Sequence, residues 1–206
     1  MGAAAVQLQS SSKTILELPP RVETATGIRS ALLQSSLAIV EKLGMTDRYF
    51  AQLTPDEAMS IRGLVVGQWN PMSLGVAHYR AIDSLGLTAV QSKANGKAVA
   101  EKVQVGFASI VFRGIGTAVT PIDALKRTPA FFERLIQGGG AVGLAQRGPK
   151  DARVEIVGIP IGQFEYVRNA WAGMFEATLG LLTYRTIVRN VSQRGGERVL
   201  LEVSWV

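Results

Sequence analysis

The sequence predicts an α/β (α+β) fold in which a helical N-terminal layer packs on a four-stranded antiparallel sheet. The main observation is a change of hydrophobic period near position 140, because apolar residues recur at helical spacing before it and alternate after it. A chain of 206 residues, 47% of them hydrophobic, can build one core without covalent cross-links. We expect residues 1–20 to form a flexible tail with a possible short strand. Residues 21–206 are predicted to form a single domain, helical over 21–138 and sheet-plus-helix over 139–206.

The N-terminal part contains repeated helix signals. After a possible strand at 14–18, helical spacing predicts a helix over 27–43. Thr54 and Glu57 match a capping box at the start of another helix. A third helix is predicted to begin at Asn70-Pro71, and residues 88–96 to form a loop or a frayed helix start.

Further along the helical layer, Gly114-Ile-Gly116 is predicted to interrupt a helix. Thr120-Pro121 and Thr128-Pro129 each pair a capping residue with a proline, a combination typical of helix starts. Residues 138–140 are all glycine and are predicted to turn the last of these helices into a strand.

The C-terminal part is predicted to have the order strand–strand–helix–strand–strand. Alternating apolar residues predict strands over 141–147 and 153–157, and helical spacing returns over 161–182. A closing hairpin is predicted from strands at 184–192 and 197–206, joined by Gly195-Gly196. The four strands can form one antiparallel sheet with the 161–182 helix across one face.

Composition excludes several classes of function. The chain has no cysteine and one histidine, which excludes disulfides, zinc–thiolate sites, cysteine nucleophiles and multi-histidine metal clusters. The net charge of +6 is spread along the chain without clustered basic residues and interleaved aromatics, so nucleic-acid binding is disfavoured. No apolar run reaches the length of a membrane span, and the N-terminus lacks the basic start of a signal peptide, so we expect a cytoplasmic protein.

The single histidine, His78, lies on the apolar stripe of its predicted helix. It could be a haem or metal ligand or a general base. The favoured interpretation is a buried histidine satisfied by one or two hydrogen bonds. Paired carboxylates are not indicated either, since Glu165 and Glu176 are expected on a solvated face. An enzyme that uses His78 is therefore a minor alternative.

The aromatic residues carry more information, because they fall mainly on faces that point inward. They either fill the core or line a cavity between the helical layer and the sheet, where an apolar ligand could bind. The residues predicted to bind such a ligand are Trp69, His78, Phe107, Tyr166, Trp171 and Phe175.

The C-terminal part resembles a known family. The segments 151–157, 164–173 and 202–205 are similar, in this order, to the 4-vinyl-reductase-type small-molecule-binding domain. That domain shares a superfamily with haem-nitric-oxide-binding sensors and TRAPP trafficking subunits. Residues 22–206 also resemble a bacterial family of about 200 residues without an assigned function, through segments such as Trp69-Asn-Pro71. The resemblance implies a helix-plus-antiparallel-sheet fold and a binding role, whereas the cysteines of those relatives are absent here.

These observations lead to a functional hypothesis: a non-enzymatic sensor or adaptor that binds a small apolar molecule. The mean hydropathy of +0.20 and the lack of any catalytic set support it. The alternative is a structural interaction module that forms a homodimer or binds a protein partner through an N-terminal helix face. The cofactor, if any, is unknown from the sequence.

Overall fold

The computed structural model describes residues 12–112 and 120–206; within 102–112 it describes the helix but not its side chains. The helices are α1 (Ser30–Lys42), α2 (Thr46–Phe50), α3 (Pro55–Arg62), α4 (Met72–Asp83), α5 (Ala89–Phe112), α6 (Pro121–Leu125), α7 (Thr128–Leu135) and α8 (Glu165–Leu179), with a 3-10 helix at Pro160–Gln163. The strands are β1 (Lys13–Leu16), β2 (Gly27–Arg29), β3 (Trp69–Pro71), β4 (Ile136–Gln137), β5 (Ala141–Gly148), β6 (Asp151–Val157), β7 (Thr186–Asn190) and β8 (Val199–Trp205).

The main sheet is antiparallel and has the strand order β1-β5-β6-β8-β7. The predicted α+β class and the four C-terminal strands are confirmed, and β1 adds a fifth strand beside β5. Alternation gives the sheet one buried face, on which Leu144, Val154 and Leu201 stand side by side in register. Helix α8 packs against β7 and β8, as predicted for the C-terminal helix.

A second, three-stranded sheet with the order β3-β2-β4 lies within the part predicted to be helical. Residues 27–29 were expected to begin a helix, but they pair with β3 on one side and β4 on the other. Ile28 is fully buried there, so its apolar side chain serves a strand as well as it would a helix. Likewise Trp69–Pro71 is a strand, and α4 starts only at Met72.

Local signals predicted several helix ends. The capping box is present, with Thr54 N donating to Glu57 Oε2 at 2.8 Å and Glu57 N donating to Thr54 Oγ1 at 3.3 Å. Thr120 caps α6 in the predicted way, whereas Thr128 lies inside α7 and makes no cap hydrogen bond. The predicted break at Gly114-Ile-Gly116 lies outside the described residues.

Residues 88–96 form no loop, because α5 already begins at Ala89. Thr88 precedes it, and Gln91 N donates to Thr88 Oγ1 at 3.2 Å. This hydrogen bond caps the helix where we expected fraying. Among the described residues no helix is long and apolar enough to cross a membrane.

Candidate functional site

Helices α5 and α8 cross at backbone contact, and residues of both helices line the two cavities described below. A Cβ atom at Gly96 would lie 1.8 Å from the Ala170 carbonyl oxygen, and one at Gly173 would lie 1.9 Å from the Lys93 carbonyl oxygen. Only glycine permits such an approach. The mid-helix Gly173, part of the sequence resemblance, therefore has a packing role.

Glu176 of α8 ties this crossing to the edge of the main sheet. It pairs with Lys93 at 2.6 Å and Lys97 at 2.5 Å, and it accepts a hydrogen bond from the Val188 amide of β7 at 2.9 Å. Burial raises its pKa, but the two lysines and the Val188 amide lower the pKa more, so the net shift is downward. The expectation that Glu176 is solvated was wrong, since its side chain is 15% exposed.

His78 of α4 is fully buried and has a hydrogen-bond partner at each ring nitrogen. Tyr49 Oη of α2 lies 2.6 Å from Nδ1, and Ser36 Oγ of α1 lies 2.7 Å from Nε2. Ser36 Oγ also lies 2.9 Å from the Leu32 carbonyl oxygen. We call His78, Tyr49 and Ser36 the His78 cluster; it joins three helices.

One assignment gives every hydrogen in the His78 cluster a partner. Tyr49 O–H donates to Nδ1, Nε2–H donates to Ser36 Oγ, and Ser36 O–H donates to the Leu32 carbonyl. Burial lowers the pKa of His78 to about 3, so the imidazole is neutral at physiological pH. Burial also raises the pKa of Tyr49, which therefore keeps its proton. The favoured interpretation of His78 as a satisfied, buried side chain agrees with this geometry.

The His78 cluster is connected to α8 through aromatic contacts. The His78 and Tyr79 rings meet edge to face at 4.8 Å, and Tyr79 stacks on Tyr166 of α8 at 6.1 Å. Asp83 of α4 adds a polar link, since its Oδ1 accepts a hydrogen bond from the Tyr166 amide at 2.7 Å. A cavity of about 20 Å³ remains between Tyr79 and α8, room for a single water.

A larger cavity, of about 50 Å³, shares the α8 residues Trp171 and Met174 with the small one, and we call it the α7–α8 cavity. Its walls are formed by residues of α5, α7, α8 and strand β6. Its described lining comprises eight apolar side chains and two threonines: Ala100, Thr128, Phe131, Phe132, Leu135, Ile156, Trp171, Met174, Phe175 and Thr178. With so few polar partners, such a space stays dry and is open to apolar atoms.

The structure brings together only some of the residues predicted to bind a ligand. Trp171 and Phe175 line the α7–α8 cavity, and Trp171 and Tyr166 line the smaller cavity. His78 lines neither cavity, although its partner Ser36 lines the smaller one. The Phe107 side chain lies outside the described residues, although α5 includes its backbone.

Trp69 lies away from both cavities, at the surface of the small sheet. The Arg29 guanidinium stacks over its ring at 4.1 Å, a cation–π contact. Arg29 Nη1 also donates to the Gly67 carbonyl at 2.5 Å. Trp69 was grouped with the inward-facing aromatics, whereas here it is half-buried on β3.

Sequence reasoning missed the α7 wall of the cavity. Phe131, Phe132 and Leu135 were recognised only as apolar residues of a short helix. The available signal was their strong one-sided distribution on two helical turns, which shows that α7 faces the core without showing that the core is incompletely filled there.

The residues present do not fit a haem held by histidine or cysteine. His78 is the only histidine, and there is no cysteine. To bind iron, His78 would have to give up Tyr49 or Ser36 and leave a buried hydroxyl without its partner. Among the described residues no group of three or more histidine, aspartate or glutamate side chains could hold a metal ion.

Comparison with known proteins supports the fold. No protein-family model matches the chain, and no curated protein sequence matches it. Among solved structures, the Fe(II) unliganded H-NOX protein from K. algicida superposes with a TM-score of 0.61 at 10% identity, covering 87% of this chain and 97% of that one. A mutant of T. tengcongensis H-NOX gives 0.56 at 10% identity, covering 86% of this chain and 97% of that one. The chain therefore has an H-NOX-like fold, which agrees with the haem-nitric-oxide-binding part of the sequence resemblance.

Proposed function

We propose that this protein is a non-enzymatic sensor or adaptor that binds a small apolar molecule, without haem, in the α7–α8 cavity. The observation that carries the proposal is an unfilled apolar space between the helical layer and the sheet, lined by Trp171, Met174 and Phe175 of a single helix. Cavities at such interfaces are common ligand sites.

The fold comparison supports the binding role. Among the similar structures are ones that concern haem distortion in the H-NOX family. In this chain the only imidazole is buried within hydrogen bonds, so the proposed ligand is bound by apolar contact. The same burial speaks against an enzyme that uses His78, because no substrate reaches a fully buried ring.

The proposed signal runs along α8. A ligand in the α7–α8 cavity contacts Trp171, Met174 and Phe175, and the N-terminal end of the same helix is bound to α4 through Asp83 and the Tyr79–Tyr166 stack. A shift of α8 on binding would therefore be transmitted to the N-terminal helices, which offer surfaces to a protein partner.

The homodimer alternative remains a hypothesis, and the structure disfavours one form of it. Strand β7 is an edge of the main sheet, where a second copy could add a strand. The Val188 amide donates to Glu176, and the Val188 carbonyl accepts from Lys93 Nζ at 2.7 Å. These groups are occupied, so dimerisation by pairing at the middle of β7 is not expected.

The test of the proposed function is a titration with benzene, followed by NMR of the methionine methyl groups labelled with ¹³C. An apolar cavity of ~150 Å³ binds benzene, so the 50 Å³ cavity must expand to accept it. We expect the Met174 signal, assigned with Met174→Leu, to shift saturably.

Two matched variants give the control. Ala100→Val adds two methyl groups to the cavity and is expected to weaken benzene binding at least about tenfold. Ala94→Val makes the same change on the exposed side of α5 and should leave binding within about twofold. The proposal fails if benzene leaves Met174 unchanged and native mass spectrometry of the purified protein finds no retained molecule.

A further inference from the structure

A groove of about 700 Å³ lies next to the α7–α8 cavity and opens to solvent. Its walls are the end of β1, helix α7, the glycine segment 138–140 and the start of β5. Among the described residues, Phe132 alone lines both the groove and the cavity. The Phe132 ring is therefore the partition between the groove and the α7–α8 cavity.

The Phe132 ring is packed on both sides. On one side it meets Trp171 edge to face at 6.3 Å. On the other side lies Gly140, where a Cβ would stand 2.7 Å from Phe132 Cζ. Because Gly140 has no side chain, the ring packs directly against backbone there, and displacing the ring would join the two spaces.

The volumes indicate that a larger ligand must occupy more than the cavity. The cavity alone, at about 50 Å³, is smaller than the ~150 Å³ that accommodates benzene. A ligand of more than a few heavy atoms must therefore extend beyond the cavity, and displacement of Phe132 would let it extend into the groove. Such a ligand has one part in an apolar environment and another part in a partly polar one.

The groove also indicates the charge of the part that remains outside. Its described lining contains the carboxylates of Glu17 and Glu133, the Gln137 amide and no lysine or arginine. Two carboxylates repel an anionic group and attract a cationic one. The described lining of the groove is therefore negatively charged, whereas the chain as a whole has a net charge of +6.

Building on the proposed function, we infer that the ligand is an amphiphile with a cationic or neutral polar head. Its apolar chain passes Phe132 into the α7–α8 cavity, and its head lies in the groove beside Glu17 and Glu133. An anionic amphiphile of the same chain length is disfavoured at this site.

The test compares 1-decylamine, 1-decanol and decanoate, each below its micelle concentration. Affinities are measured by calorimetry and by the Met174 methyl signal. We expect decylamine to bind most tightly and decanoate at least about tenfold more weakly. Non-specific attraction to a basic protein would favour decanoate, so this order of affinities would not arise from the net charge alone.

Variants separate the head-group contact from the cavity. Glu17→Gln combined with Glu133→Gln is expected to reduce the preference for decylamine over decanol at least about threefold, whereas the exposed Glu41→Gln control leaves it unchanged. Phe132→Leu, a smaller partition, is expected to speed association without reversing the order of the three probes.

The outcomes distinguish this inference from the proposed function. If decanoate binds as tightly as decylamine and the glutamine variant has no effect, while Ala100→Val still abolishes binding, the cavity is a ligand site but the head-group inference is wrong. If none of the three probes nor benzene shifts the Met174 signal, the proposed function itself is wrong.

Discussion

The His78 cluster and the α7–α8 cavity differ in how completely they are packed. In the cluster, both imidazole nitrogens and both hydroxyl groups have partners. In the cavity, large aromatic and aliphatic side chains leave about 50 Å³ empty. A rare residue type such as histidine can therefore have a purely structural role, whereas incomplete packing among common residues marks the better candidate for binding.

The largest expected effect comes from disturbing the α5–α8 crossing next to the α7–α8 cavity. Gly173→Ala would place a methyl group 1.9 Å from the Lys93 carbonyl oxygen, so α5 and α8 must separate. We expect the free energy of unfolding to fall by about 2–4 kcal/mol, even though alanine favours a helix. Urea denaturation measures the change.

Gly63→Ala provides the control for that experiment. A Cβ at Gly63 would have ordinary contacts, with its nearest neighbour at 3.4 Å. The free energy of unfolding of Gly63→Ala should therefore stay close to that of the wild type. Equal stability of Gly173→Ala and wild type would show that the crossing is looser than described.

A medium effect, confined to the His78 cluster, is expected from pH. The pKa of His78 is about 3 in the folded state, against about 6.5 in an unfolded chain. Below pH 6.5 the unfolded state binds a proton that the folded state does not, so stability falls as pH decreases from 6.5 toward 3. The expected slope reaches about 1.4 kcal/mol per pH unit.

Because His78 is the only histidine, one variant isolates this contribution. His78→Gln should be less stable at pH 7 but should lose the slope between pH 6.5 and 5, where carboxylates contribute little. Urea denaturation at several pH values gives both quantities. An unchanged slope in His78→Gln would mean that the imidazole is accessible to protons in the folded protein, and the contrast between the two regions would then disappear.

The fold could be predicted from the sequence wherever one local pattern decided the outcome. Alternation at β6 and β8 and the capping box at Thr54 are examples, because each depends on neighbouring residues only. The small sheet could not be predicted, since Gly27–Arg29 is too short for a period and its partners lie far away in the sequence. Five strands replace four for the same reason: β1 is identified by its pairing with β5.

The candidate site could be predicted only in part. Trp171 and Phe175 were found because both lie on the apolar side of one helix. Phe132 was missed as a site residue, because its importance depends on a space between elements that no periodicity reports. The hydrogen-bond partners of His78 could not be predicted either, since Ser36 and Tyr49 come from two other helices.

The smallest expected effect is a negative result with hemin, which tests whether the His78 cluster can bind iron. If the His78 cluster is purely structural, titration with hemin should give no absorption spectrum of the kind that free imidazole produces with hemin, because His78 cannot release Tyr49 or Ser36 without leaving a buried group unpaired. His78→Gln should then give the same hemin spectrum and affinity as the wild type, including after expression with a haem precursor. An imidazole-type spectrum that is present in the wild type and lost in His78→Gln would show that the cluster opens to ligate iron. In that case the histidine, and not the apolar cavity, would be the centre of binding.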